Sequence, residues 1–352
     1  MAMKCLVRPS TPADAPAIVA LLDQAGLRPN ADPQHLHWKY WQPRADWPGP
    51  RSFVMTTGSK PIAHCAIVPG TAVSGARRAG IINGIDWVAC AEALRGGLVG
   101  AGVALLKEVA RPRGPLFVIG GRGETTLRIL PHIGFRAAGV ATGYVRTLSP
   151  LRLLRDARKP TWRLLPRFAR SVAWTLGAPA AQPIDWRVHR IAGDDISRIA
   201  RVFPVPARGM TVFGRSVELF RYVLSCPIVP MALYAVESSG RIRGYFLLAS
   251  APGQVRIADC WVDSDEPADW RAMILCAVGQ ARQDPRAAEV VMWASDSLLA
   301  EALRACGFHA RFDTLIQVRP ASDGSVPEGP LRVQMLDSDA AYLHQGRMEL
   351  WA

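Results

Sequence analysis

No stretch of the 352-residue chain approaches the roughly 20 uninterrupted apolar residues of a membrane-spanning helix, so a helical membrane protein is not expected. Met1 to Pro9 hold a Lys and an Arg but no apolar block before Pro9, so no signal peptide is expected either. The seven cysteines (Cys5, Cys65, Cys90, Cys226, Cys260, Cys276, Cys306) stand singly among apolar neighbours, without the close pairing of a zinc site. They read as reduced, buried thiols of a cytoplasmic protein with no metal. Acidic residues are scarce: 29 Asp and Glu face 42 Lys and Arg, a formal charge of +13. That balance suits anionic partners, yet no nucleic-acid module accompanies the scattered arginines, so nucleic acid is not an expected partner.

What is present is globular: 49% hydrophobic and 20% charged residues, in a length that suits two domains of ordinary size. The two halves repeat one another. Leu6–Pro9 reads as a strand followed by a cap at Ser10–Asp14 and a helix over Ala15–Ala25; Trp186–Ile191, Gly193–Asp195 and Ile196–Phe203 repeat that order. Hairpins follow, through Gly58–Pro61 in one half and Ser238–Gly240 in the other. Each half then has a strand with an acid and a Trp, Ile85–Val88 and Ala258–Val262. A long helix, an apolar strand (Pro115–Ile119, Glu289–Trp293) and a closing Gly-Phe follow in each. The pairs Gly134-Phe135 and Gly307-Phe308 are 173 residues apart, and Trp87 and Trp261 are 174 apart. The predicted organisation is a domain over 1–148, a basic Pro/Arg-rich linker over 149–183, a second domain over 184–320 and a tail over 321–352. Residues 151–179 read either as a membrane-surface helix or as a linker packed on the core, and the linker is favoured.

The most informative stretch runs from Asp86 to Val109. A strand enters a short loop and then a glycine-rich turn, Arg95-Gly96-Gly97-Leu98-Val99-Gly100-Ala101-Gly102, which opens an amphipathic helix. So many glycines suit neither helix nor strand interior, but they let backbone approach a ligand closely. Amides at a helix N-terminus lack intrahelical partners and sit at the positive end of the dipole, a geometry that binds phosphate; Arg95 adds a charge beside it. In the second half the matching place carries Asp263, Asp265, Glu266 and Asp269, which would repel a diphosphate.

With these elements in this order, the sequence resembles the GNAT (Gcn5-related N-acetyltransferase) superfamily over most of 1–148. The resemblance implies an α/β (α+β) fold of two tandem GNAT-like domains, each a mixed, mostly antiparallel sheet flanked by helices. It implies acetyl-CoA, or another acyl-CoA, as co-substrate, with the pyrophosphate on residues 95–102 and Val88 and Ala89 lining the pantetheine arm. Two glycine registers compete: counting from Arg95 places Leu98 where the first glycine belongs, and Gly97-x-x-Gly100-x-Gly102 has the glycines without a leading Gln or Arg. The second copy is expected to be degenerate.

Acyl transfer from a thioester to an amine needs a general base. An acid on or near the splayed strand supplies it in many family members, which implies Asp86 or Glu92 here. The Tyr that often protonates the leaving thiolate is replaced by Leu130, with His132 nearby as a substitute. The segment His35–Trp41 stands where the family roofs the acceptor site, so His37, Trp38 and Tyr40 are candidate substrate contacts; equally, Trp38 and Trp41 would form core at i and i+3. The expected activity is an acetyl-CoA-dependent N-acetyltransferase acting on a small-molecule amine such as an amino sugar. The competing expectation is a non-catalytic CoA sensor or scaffold.

Overall fold

The structure is a computed structural model. It describes residues 5–27, 30–90, 100–111, 114–120, 124–155, 164–179, 183, 185–206, 209–343 and 350–352. The expected repeat of elements is observed. In the first half these are β1 (Cys5–Pro9), α1 (Ala15–Gln24), α2 (Pro33–Leu36), β2 (Ser52–Thr57), β3 (Lys60–Ser74) and β4 (Arg77–Ala89). They are followed by α3 (Ala101–Ala110), β5 (Leu116–Ile119), α4 (Glu124–Ile129) and β6 (Arg136–Thr147). Residues 149–183 are more than a linker: they contain α5 (Pro150–Arg155) and α6 (Leu164–Gly177).

The second half holds β7 (Trp186–Ile191), β8 (Thr211–Phe213), α7 (Val217–Leu224), β9 (Met231–Ser238), β10 (Arg241–Ala251) and β11 (Gln254–Val262). Then come α8 (Pro267–Ala281), β12 (Glu289–Ala294), α9 (Ser297–Ala305), β13 (His309–Arg319) and a short β14 (Leu331–Arg332). Where the sequence suggests a second-half counterpart of α1, the chain forms a 3-10 helix, Gly193–Val202.

The fourteen strands of the described residues join one sheet, in the order β1-β2-β3-β4-β5-β13-β6-β12-β11-β10-β9-β7, with β8 bridging β3 and β14. Its centre has a pseudo-two-fold arrangement. β6, the last strand of the first half, pairs with β12 and β13 of the second, while β13 pairs with β5 and β6 of the first. Each half therefore receives the final strand of the other. The cores follow this exchange: Trp38, Ile81 and Phe117 of the first half share one buried cluster with Phe213, Phe220, Tyr245 and Phe246 of the second. A separate cluster under α1 and α3 is built from the first half alone.

Two forks, by contrast, are made by parallel pairs that separate. β4 pairs with β5 only at Ile82–Leu116 and Asn83–Phe117, then runs on alone to Ala89 on that side. β11 pairs with β12 at Gln254–Glu289, Val255–Val290 and Arg256–Val291 and then leaves it. A bulge lies just beyond each crotch, between Ile85 and Val88 on β4 and at Ile257–Asp259 on β11. A bulge adds a residue to one strand and bends it, which turns β4 and β11 out of line with their neighbours.

Candidate active site at the N-terminal fork

At the bulge of β4, Asp86 adopts φ +49, a left-handed conformation that non-glycine residues rarely hold without support. Its support is extensive. The carboxylate receives Lys39 Nζ at 2.6 Å and the Tyr40 hydroxyl at 2.7 Å. Its main-chain oxygen faces His64 Nδ1 at 3.0 Å. Lys39 and Tyr40 come from a π-turn, His37–Trp41, that continues α2 and is closed by the Gln42 N–H donating to His37 O at 2.7 Å. The wider turn lets three consecutive side chains, Trp38, Lys39 and Tyr40, bury together.

That turn is fixed between the halves by Arg51. Its guanidinium donates to the Tyr222 hydroxyl at 2.6 Å, to Trp38 O at 3.0 Å and to Gln42 O at 2.6 Å. Trp38 is 2% exposed, stacks on Tyr222 at 4.8 Å and donates its indole N–H to Tyr222 O. It is thus core between the two halves. Tyr40 is likewise buried, and of the three candidate substrate contacts only His37 is exposed. His37 borders a surface groove with Pro33, Gln34, Gln42, Ser225 and Pro227.

Electrostatically the site is a row of three charges. Lys39 lies between Asp86 and Asp339, the latter 3.1 Å away and supplied by the C-terminal tail. Burial pushes Asp86 up, but the Lys39 charge and the bonds from Lys39 and Tyr40 outweigh it and hold the carboxyl below its usual range. Asp339 is pushed the other way, raised by burial and by Asp86 against the pull of Lys39. Burial alone would lower Lys39, yet the two flanking carboxylates raise it well above an ordinary lysine. Burial raises Tyr40 well above its usual value, so it stays a phenol.

His64 is fully buried, and burial lowers it to about 4, leaving a neutral ring. Because the fold admits only that neutral form, the unfolded chain takes up a proton that the folded chain refuses between pH 6.5 and about 4. Stability contributed by His64 is therefore lost as pH falls through that window, by up to about 3 kcal/mol. Asp337, raised to about 6 by burial, works with the opposite sign. Comparing denaturation curves of wild type and His64→Asn across pH 4–7 isolates the His64 part: the variant should show the flatter acid limb.

The tail explains why the two forks differ. In the C-terminal fork, Gln334 lays its carboxamide along β11, donating to Cys260 O and accepting from Cys260 N, both at 2.9 Å. Val333 N donates to Ser295 Oγ at 2.7 Å, and Arg332 forms a bidentate pair with Asp296 at 2.9 Å. Leu331, Val333, Met335 and Leu336 are buried there. The second fork is filled by the protein's own chain. Beyond it, the tail passes both crotches. Buried Arg256 donates to Ala340 O and Leu343 O at 2.9 and 2.7 Å, and Asn83, its counterpart 173 residues earlier, donates to Asp337 O at 3.4 Å. Asn83 also accepts the Ile119 N–H at 3.2 Å, satisfying an amide where β5 parts from β4. The bulge acid is mirrored too: Asp259 is held by Arg215 at 2.8 and 2.6 Å and by the Tyr245 hydroxyl at 2.9 Å, and Arg215 also pairs with Asp337 at 2.8 Å.

The open fork leads to α3. Gly100 caps that helix with φ +92, and among the described residues a side chain there would meet nothing within 4 Å. Gly102 has a packing role instead: a Cβ would lie 3.2 Å from Trp87 Nε1 and 3.3 Å from Ala89, and its carbonyl accepts the Trp87 indole N–H at 2.7 Å. Ala101 is buried. Val88 is buried and Ala89 half-buried on β4. Glu92, Arg95, Gly96, Gly97, Leu98 and Val99 lie outside the described residues. Leu130 is fully buried in a 3-10 turn, Leu130–Ile133, on which His132 is exposed.

Burial raises Cys276 to about 12 and Cys306 to about 11, so these two thiols stay protonated. Among the described residues, no cluster of His, Cys, Asp and Glu is arranged to hold a metal, and no helix is long and apolar enough to cross a membrane. Arg167, within the 151–179 segment, donates to the main-chain oxygens of Leu350 and Ala352. Sequence reasoning missed Arg51, Asn83, Lys39 and Asp339; only Asn83 and Arg256 carried a signal, their 173-residue spacing.

Compared with known proteins, the sequence matches no family model and no curated protein. The fold has clear relatives among solved structures. One is a probable N-acyltransferase from Enterococcus faecalis V583, with 12% identity and a TM-score of 0.59 over 90% of this chain and 73% of that one. Another is Saccharomyces cerevisiae N-myristoyltransferase with bound myristoyl-CoA, with 12% identity and a TM-score of 0.57 over 92% of this chain and 87% of that one. A third is a tandem GNAT protein from the clavulanic acid biosynthesis pathway, with 13% identity and a TM-score of 0.53 over 91% and 99% of the two chains. The chain has the GNAT fold. It carries that fold twice, as a tandem whose halves share one sheet.

Proposed function

We propose that this protein is an acyl-CoA-dependent N-acyltransferase that uses only its N-terminal fork. The observation that carries the reading is the contrast between forks: the second is filled by residues 331–336, while among the described residues β4 beyond Asn83 has no strand on its β5 side and leads to the N-terminus of α3. An extended thioester arm would lie along Gly84–Ala89, with Val88 and Ala89 against it. The diphosphate would rest on amides at the entry to α3, around Gly100.

In this reading the acceptor amine approaches Asp86. The amine nitrogen attacks the thioester carbon, the C–N bond forms, the C–S bond breaks, and the amine proton passes to the Asp86 carboxylate. Lys39 and Tyr40 orient that carboxylate. With Leu130 in place of an acid, CoA leaves as a thiolate, which is stable enough near neutral pH to depart before it is protonated. We assign acetyl as the acyl group and a small-molecule amine as the acceptor; Glu92 is an alternative base. The chain boundaries of the two units are proposed as 1–148 and 184–320.

A second reading, a CoA-binding sensor, is favoured by the same ion pair, because a carboxylate already engaged by Lys39 and Tyr40 is a weak base. Release of free thiol from acetyl-CoA, followed across a panel of amines and amino sugars, separates the two. Amine-dependent thiol release is expected; tight binding of acetyl-CoA with no release for any amine would favour the sensor.

A further inference from the structure

Among the buried polar groups that the proposed chemistry leaves unused, His64 makes the most directed set of contacts. Asp86 O can only accept, so Nδ1 must carry the proton, and Nε2, 2.9 Å from Ser52 Oγ, must accept. The chain continues outward with one polarity: Trp41 Nε1 donates to Ser10 Oγ at 3.0 Å, Ser10 Oγ to Ser52 Oγ at 2.6 Å, and Ser52 Oγ to His64. Ser10, Ser52 and His64 are all buried. One line of hydrogen bonds thus joins the π-turn, the end of β1, β2 and β3, and ends on the main chain of β4 at its one left-handed residue.

We propose that His64 is a positioning residue: its Nδ1–H holds the main-chain oxygen of Asp86 and thereby maintains the bulge that opens the N-terminal fork. A ladder bond cannot do this, because the bulge takes Asp86 out of register with β3: His64 aligns with Val88 and Ala66 with Ile85. The side chain supplies what the ladder lacks. Losing it leaves a buried carbonyl without its donor at a strained residue, a loss worth about tenfold or more in an equilibrium. The charged and titratable groups facing the ring are Asp86, Lys39, the edge-on Tyr40 ring at 5.2 Å and, further off, Asp14.

The proposal deepens the transferase reading and rests on it for substrate effects, but its first test does not need turnover. Three variants divide the ring's functions. In His64→Asn the amide nitrogen takes the Nδ1 place, in His64→Gln it reaches toward Nε2, and in His64→Leu both are absent. Hydrogen exchange of the β4 amides 84–89 in the full chain should be near wild type in His64→Asn and at least about tenfold faster in the other two. KM for acetyl-CoA should rise in the same order, with His64→Asn rescued. If His64→Leu does not fold, ¹⁵N spectra of the wild-type imidazole decide: a neutral, Nδ1-protonated ring is required, and an Nε2-protonated ring would overturn the proposal. Wild-type exchange in His64→Leu, or equal damage in His64→Asn, would also overturn it. A wild-type protein that neither binds nor turns over acetyl-CoA would instead remove the transferase reading and leave the exchange result standing.

Discussion

Gly100→Asp should abolish acetyl-CoA binding, while Gly100→Asn should preserve it. Both side chains tolerate the left-handed conformation that Gly100 adopts, both are of one size, and neither would meet another described residue within 4 Å of its Cβ. They differ in charge alone. As an apo protein the Asp variant should be slightly the more stable, because an anion at a helix N-terminus gains about 0.3–1 kcal/mol. Toward a diphosphate the same charge is repulsive, on the order of 4 kcal/mol for unit charges a few ångströms apart near a protein surface, or roughly 1,000-fold in affinity. Thermal shift and calorimetric titration with acetyl-CoA measure both signs in one series. Unchanged binding in Gly100→Asp would move the phosphate site elsewhere. Gly102 is unsuited to this test, since any side chain there presses on Trp87 and Ala89 and disturbs packing with or without ligand.

Arg215→Met should destabilise the fold by about 3–5 kcal/mol, the usual cost of leaving buried carboxylates without their cation. Two carboxylates depend on this guanidinium, Asp259 with no exposure and Asp337 with 5%. The loss should depend on pH. Asp337 already sits at about 6 through burial, with Arg215 pulling it down, so removing the cation raises it further. The variant's folded state then holds protons that its unfolded state releases, and its stability falls as pH rises through that raised value. Chemical denaturation at pH 5 and pH 8 should show the larger deficit at pH 8. Asp337→Asn combined with Arg215→Met should recover part of it.

Much of the fold was legible because hairpins, caps and Gly-Phe endings are local. β7 falls at Trp186–Ile191 as expected, and the strands expected at Ile85–Val88 and Ala258–Val262 form the ends of the longer β4 and β11. The exchange of β6 and β13 was not legible, because both are long last strands of similar pattern and nothing local in either specifies which neighbour it joins. The tail was unreadable for a related reason: Gln334 and Arg332 bind partners more than thirty residues away, and their polar character suggests a surface until Cys260 and Asp296 are known to face them. At the candidate site, the glycines and Asp86 stood out by type and position. The π-turn did not: helical spacing put Trp38 and Trp41 on one face, whereas Trp38 stacks on Tyr222 and Trp41 donates to Ser10. Lys39 looked like a surface lysine because its two carboxylates come from residues 86 and 339.

The traded strands also bear on how the protein comes off the ribosome. When residue 148 has been made, β6 has neither of its eventual neighbours, and one side of β5 waits for a strand that is more than 160 residues from being synthesised. The nascent first half must therefore spend most of the remaining translation with raw sheet edges, the kind that recruit other chains. Neither half can be cut free and remain whole: through this mutual loan of strands each is half of an indivisible object.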